Sequence, residues 1–194
     1  MEKAEIISIL RSDRTVFSFK DILLASGENS PALLRSRLHY YTTHGQLYGI
    51  RRGLYAKDKN YNKLELATKI FSPAYVSFET VLAEAGIIFQ SYGRIFVASY
   101  QTKEITCDGQ IYSFKKIKDN VLTNIAGIED RDNYSIAIKE RAFLDIIYLN
   151  KEYHFDNMPS LDWDKVFELL PIYDNKRMAK KVKEYHETVK EDNQ

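Results

Sequence analysis

One cysteine in 194 residues limits this chain before anything else does. Cys107 has no second cysteine to pair with, so no intramolecular disulfide and no cysteine-rich zinc site can form, and a reducing compartment fits best. The four histidines, His39, His44, His154 and His186, include no i, i+4 ligand pair, so no metal is expected. The eight glycines are scattered, and no glycine-rich phosphate loop can be assembled from them. No apolar run approaches the roughly 20 residues that a membrane-spanning helix needs. The opening Met1-Glu2-Lys3-Ala4-Glu5 leads into no long apolar region behind a basic one, so no secretory signal is visible. These absences predict a soluble, cytoplasmic protein with no membrane contact.

What is present is a globular composition, 44% hydrophobic and 28% charged. The length suits one large domain or two small ones. A net charge of +1 hides an uneven distribution. Residues 1–65 hold eleven basic and seven acidic side chains, an excess of four positive charges. Residues 66–175 hold eleven basic and sixteen acidic, an excess of five negative charges. Opposite signs on two segments suggest two surfaces with different partners, the basic one a candidate for a polyanion.

The first sixty residues read as three helices and a hairpin. Ala4, Ile6, Ile7, Ile9 and Leu10 follow helical spacing over about 2–11. Ser18 with Asp21 three residues on is a capping arrangement for a second helix, and Gly27 is its terminator. Ser30-Pro31 opens a third helix that runs to about Thr43, where Gly45 ends it. Leu47 to Ala56 then places two short apolar strands around Arg51-Arg52-Gly53, which reads as a hairpin. Two helices joined by a tight glycine-containing turn form a helix-turn-helix, and a following hairpin is a wing. At 100° per residue, Leu34, Leu38 and Tyr41 of the third helix face inward. Ala32, Ser36, His39, Tyr40 and Thr43 face outward, with Arg35 and Arg37 on the flanks. Short, hydroxylated and aromatic side chains between two arginines suit a DNA major groove, where small residues permit close approach. Arg51 and Arg52 at the hairpin tip are a natural phosphate clamp. Tyr48 and Tyr40 neighbour these elements. The alternative is an ordinary solvated helix face and a solvated turn.

The remainder, 66–194, reads as a C-terminal α+β unit with a small antiparallel sheet, helices and a charged C-terminal helix. Leu64 to Phe71 is a short helix broken at Ser72-Pro73. Ser77 is the expected cap of a helix over Phe78–Ala85, stopped by Gly86. Arg94 to Tyr100 is a strand, and Glu104–Cys107, Asp108-Gly109 and Gln110–Lys116 form the clearest hairpin in the chain. Val121 to Ile128 is ambiguous in type. Ile136 to Leu149 has the spacing of a core helix, Ser160 is the expected cap of a helix through Trp163 and Leu170, and a charged helix starts near Asp174.

Three stretches, taken together, resemble the AbiEi-type antitoxins of bacterial abortive-infection, type IV toxin–antitoxin systems. They are Gly45-Gln46-Leu47-Tyr48-Gly49-Ile50-Arg51-Arg52-Gly53-Leu54-Tyr55-Ala56, Ser72-Pro73-Ala74-Tyr75-Val76-Ser77-Phe78-Glu79-Thr80-Val81-Leu82 with Gly86-Ile87-Ile88, and Ile136 through Leu149. The likeness covers roughly residues 1–150 in order and spacing, and departs from the commonest pattern at Arg141. It implies a winged-helix repressor, residues 1–65, fused to an antitoxin or oligomerisation domain, residues 66–194. Such proteins bind inverted repeats in double-stranded DNA before their own operon, with self-association on the DNA. They counteract a nucleotidyltransferase-like toxin encoded beside them.

Catalysis finds little footing. Cys107 reads as a buried or edge thiol rather than a nucleophile. Glu129, Asp130 and Asp132 could hold a divalent ion but read better as a solvated loop before a helix. Asp174-Asn175-Lys176 lies at a helix cap and lacks an upstream acid. The expectation is therefore a DNA-binding autorepressor and antitoxin, not an enzyme, with no cofactor. Its DNA-contacting residues would be Arg35, Ser36, Arg37, His39, Tyr40, Thr43, Arg51 and Arg52. Two alternatives are a winged-helix module that recognises protein instead of DNA, and a metal-dependent enzyme using the acidic middle segment.

Overall fold

A serine three residues ahead of an aspartate starts the first helix that lies wholly within the described residues of the computed structural model, 11–90 and 92–192. Ser18 Oγ accepts from the Asp21 amide (3.1 Å) and Asp21 Oδ2 accepts from the Ser18 amide (2.9 Å), pairing two otherwise orphaned donors at α1 (Phe19–Ser26). Gly27 closes it at φ 61, a left-handed conformation that glycine takes without a Cβ penalty. Ser30 caps α2 (Pro31–Thr43), with proline at its start. The hairpin follows as β2 (Tyr48–Arg51) and β3 (Leu54–Ala56). A strand that the sequence does not announce, β1 (Val16–Ser18), pairs antiparallel with β3 and gives the sheet order β1-β3-β2. At three residues it is too short to show an alternating pattern. The helix expected over about 2–11 lies, apart from Arg11, outside the described residues.

Leu34 and Leu38 face inward, as their angles predict, and are buried with Phe17, Ile22 and Leu47 in a small cluster. Val16, Leu54 and Ala56, from the other side of the small sheet, join a much larger cluster that continues through the rest of the chain. Asn62 caps α3 (Lys63–Ile70), and Glu65 in its first turn reaches back to Thr15, accepting from its amide (2.8 Å) and its hydroxyl (2.6 Å).

The second sheet is mixed and six-stranded, in the order β6-β7-β5-β4-β9-β8. Its strands are β4 (Ala74–Val76), β5 (Arg94–Ser99), β6 (Lys103–Cys107), β7 (Gln110–Lys116), β8 (Ile128–Arg131) and β9 (Tyr134–Ala137). The fold is thus α+β, but the second sheet is larger than expected and not purely antiparallel: β5 pairs parallel with β7, and β4 parallel with β9. The helices around it are α4 (Glu79–Glu84), α5 (Asp119–Leu122), α6 (Lys139–Leu149), α7 (Trp163–Leu169) and α8 (Lys176–Asp192).

Four local expectations change. Ser77 does not cap α4; its hydroxyl donates to Asp145 (2.7 Å), and Phe78 occupies the cap position at φ 57 without a side-chain hydrogen bond. Glu129, Asp130 and Asp132 belong not to a loop but to an edge hairpin, β8–β9, which turns at Asp132-Asn133 with both residues at positive φ. That hairpin takes Ile136 and Ala137, so α6 begins only at Lys139. Asp162, not Ser160, caps α7 by accepting from the Lys165 amide (3.2 Å). Among the described residues, no helix is long and apolar enough to cross a membrane.

Candidate nucleic-acid interface

Burial of Leu34 and Leu38 fixes the rotation of α2, and everything outward on that helix follows from it. Arg35, Ser36, His39, Tyr40 and Thr43 are exposed. The face is pre-shaped. Ser36 Oγ donates to the Ala32 carbonyl (3.3 Å) and Thr43 Oγ1 to the His39 carbonyl (2.8 Å), so both hydroxyls lie flat on the helix with an acceptor lone pair outward. Tyr40 stacks on His44 with ring centroids 4.0 Å apart and 29° between planes. Arg35 lies over Phe19 of α1, its guanidinium carbon 5.0 Å from the ring centroid.

The two flanking arginines are not equivalent. Arg37 Nη1 donates to Glu28 Oε2 at 2.9 Å, and that carboxylate also accepts from the Ser30 amide (3.0 Å). Arg37 is therefore partly neutralised by the helix turn, whereas among the described residues no carboxylate pairs with Arg35.

The hairpin arginines also diverge. Arg51 belongs to β2, opposite Leu54 across a β-bulge, while Arg52 and Gly53 make the turn. Both arginines are exposed, but Arg51 lies close enough to the Cys107 thiol of β6 for its charge to act on it. Burial pushes that thiol up, and Arg51 pulls it the other way. A raised, mostly buried thiol is a poor nucleophile. Tyr48, placed near DNA by the sequence, turns instead to the larger sheet: its hydroxyl donates to Asp108 Oδ1 (2.9 Å).

Between the C-terminal half of α2 and the hairpin lies an open cleft of about 580 Å³, lined by His39, Thr42, Thr43, Gly49, Lys57 and Lys59 among others. Gly49 lies beside α2, where a Cβ would make ordinary contact with Thr42 Cγ2 at 3.5 Å. Lys57 and Lys59 were missed by sequence reasoning. Asp58 between them dilutes the charge, and only the fold returns this loop to the side of α2. The Lys57 amine donates to the Ser12 carbonyl, and Lys59 Nζ lies 5.8 Å from the Tyr48 ring centroid.

The acidic residues of the middle segment are spread along an exposed hairpin, where Asp130 accepts from Ser135 (2.8 Å) and Glu129 from Arg131 (2.9 Å). Among the described residues, no group of three or more His, Cys, Asp or Glu is placed to hold a metal ion. A scan against protein-family models finds no match to this chain, and a search of curated proteins finds none either.

Proposed function

We propose that the chain is a sequence-specific double-stranded DNA-binding protein, an antitoxin and repressor of its own promoter. It would oppose a nucleotidyltransferase-like toxin encoded beside it, in the manner of the AbiEi-type family that its sequence resembles. The observation that carries the reading is the single exposed face of α2 on which Arg35, Ser36, His39, Tyr40 and Thr43 stand, followed in the chain by an exposed Arg52 in the hairpin turn. The order of the elements supports it: a strand, two helices across a glycine turn, then a hairpin whose second strand pairs with the first. In a winged helix, α2 is the element that enters the major groove and the hairpin is the wing beside it. Ser36, His39 and Thr43 then touch base edges, while Arg35 and Arg52 meet phosphate. Lys57 and Lys59 extend the cationic rim along the cleft.

The testing experiment is a fluorescence-anisotropy titration of the full chain on the duplex upstream of its own reading frame. A scrambled duplex of equal composition serves as the reference. The reading requires tighter binding to the upstream duplex by at least about 10³ at moderate salt, the lower end of specific recognition. Equal, weak binding to both would reject it in favour of a protein-recognition module. Co-expression with the neighbouring reading frame tests the antitoxin half: growth must be rescued.

A further inference from the structure

Besides the apolar packing of Leu54 and Ala56, two side-chain hydrogen bonds tie the hairpin β2–β3 and its following loop to the larger sheet through one carboxylate. Asp108 sits at φ 47 in the turn between β6 and β7, and each of its oxygens takes a tyrosine. Oδ1 accepts from the Tyr48 hydroxyl (2.9 Å) and Oδ2 from the Tyr61 hydroxyl (2.7 Å). Tyr48 is the first residue of β2, and Tyr61 follows the hairpin in the loop to α3. Their rings stack, with centroids 6.3 Å apart and 22° between planes, so the pair acts as one stiff arm. The bond to Asp108 is the main cause that raises the Tyr48 phenol's pKa, because the charged acceptor favours the protonated form; at Tyr61 burial is the larger cause and the same bond adds to it.

A hairpin of four and three residues has too few ladder bonds to hold a direction by itself. The opposite side of the N-terminal segment is tied by Glu65 to Thr15 and by Lys69 to Asp21 (3.0 Å), both near the base of β1 and α1. At the hairpin end, Leu54 and Ala56 pack into the large core, and Asp108 adds the two directional side-chain bonds.

We propose that Asp108 is a positioning residue that fixes the direction of β2–β3, and with it α2, against the larger sheet. The exposed face of α2 is thereby presented at one angle. Joined to the DNA-binding reading, on which this consequence rests, a fixed angle makes two copies on an inverted repeat accept one half-site spacing.

The test uses the full chain as wild type, D108A, D108E and the double variant Tyr48→Phe, Tyr61→Phe. Without DNA, hydrogen exchange over residues 48–56 should quicken about tenfold or more in D108A and the double phenylalanine variant, as local opening becomes cheaper. Exchange in β5 should stay unchanged. In D108A, absorbance at 295 nm should show tyrosines ionising at lower pH than in wild type, and D108E should restore part of both signals. Unchanged exchange over 48–56 in both variants overturns the proposal. If D108A loosens β5 as well, the phenylalanine variant, which keeps both rings, decides. With DNA, wild type should prefer the natural spacing over one lengthened by half a helical turn, about 5 base pairs, by tenfold or more. D108A should lose that preference while still binding a single half-site equally. A chain that binds no DNA would reject the functional reading, and the exchange result would still decide the role of Asp108.

Discussion

Replacing Asp145 by alanine should be among the most damaging single changes in this protein. Asp145 on α6 is fully buried and accepts from the hydroxyls of Tyr75 (3.0 Å), Ser77 (2.7 Å) and Tyr173 (2.6 Å). Arg141, one turn earlier and also fully buried, has its Nε 3.6 Å from Asp145 Oδ1. Its Nη2 and Nη1 donate to the carbonyls of Val121 (2.7 Å) and Ala126 (2.9 Å). Burial raises the Asp145 carboxyl above the ordinary carboxylate range, against the pull of Arg141 and the three hydroxyls. Removing it strands a buried guanidinium, which costs about 3–5 kcal/mol. It also leaves three hydroxyls without their acceptor, at up to about 1–3 kcal/mol each where no water enters. Because the two costs overlap, a loss of about 4–6 kcal/mol is expected, comparable to the whole stability of a small domain. Urea unfolding followed by circular dichroism measures it, read as a lower midpoint at unchanged slope. The double change Arg141→Met with Asp145→Leu should recover much of the loss, since an apolar pair leaves no orphaned charge. A loss under about 1 kcal/mol for Asp145→Ala, or a double variant worse than the single, would refute the reasoning.

Arg52→Ala should weaken binding to all DNA sequences alike and flatten the dependence of log K on log salt by about one unit for each phosphate left without its cation. Arg51→Ala should change that slope less, because Arg51 lies within β2 near Cys107 whereas Arg52 stands out in the turn; salt-dependent anisotropy compares the two. His39→Ala should lower affinity for the upstream duplex more than for scrambled DNA, at a cost of about 1–3 kcal/mol in preference, read in a competition titration. Burial of Asp21 opposes its ionisation, but the Ser18 amide, Lys69 and the Ser18 hydroxyl outweigh that and hold its pKa below the ordinary value. It therefore contributes stability that is present above its unfolded pKa and lost as pH falls through the folded value, and Asp21→Asn should flatten unfolding midpoints over that acid range.

The helices α1 and α2 and the hairpin after them were legible because each carries its own start or stop signal. Ser18 with Asp21, Gly27, Ser30-Pro31 and Gly53 act locally, and helical spacing alone separated Leu34 and Leu38 from the outward face of α2. The same local reading fails where a side chain bonds far along the chain. Ser77 looks like a cap but serves Asp145, 68 residues on, and Tyr48 looks free but serves Asp108, 60 residues on. Strands of three or four residues, β1, β4, β8 and β9, leave no alternation to detect, and their pairing is set by sheet order. At the candidate interface the residue types of α2 were readable. The pairing of Arg37 with Glu28, the nearness of Arg51 to Cys107 and the return of Lys57 and Lys59 to the cleft were not.

A hydroxyl-radical and methylation footprint of the full chain on its upstream duplex tests the central claim most directly, because it shows which groove is occupied and by which face. The account predicts two protected half-sites arranged as an inverted repeat, with guanine N7 positions shielded in the major groove. It also predicts that the triple variant Ser36→Ala, His39→Ala, Thr43→Ala loses that shielding while the protein remains folded. Protection confined to backbone or minor-groove positions, or a footprint that the triple variant leaves intact, would contradict it.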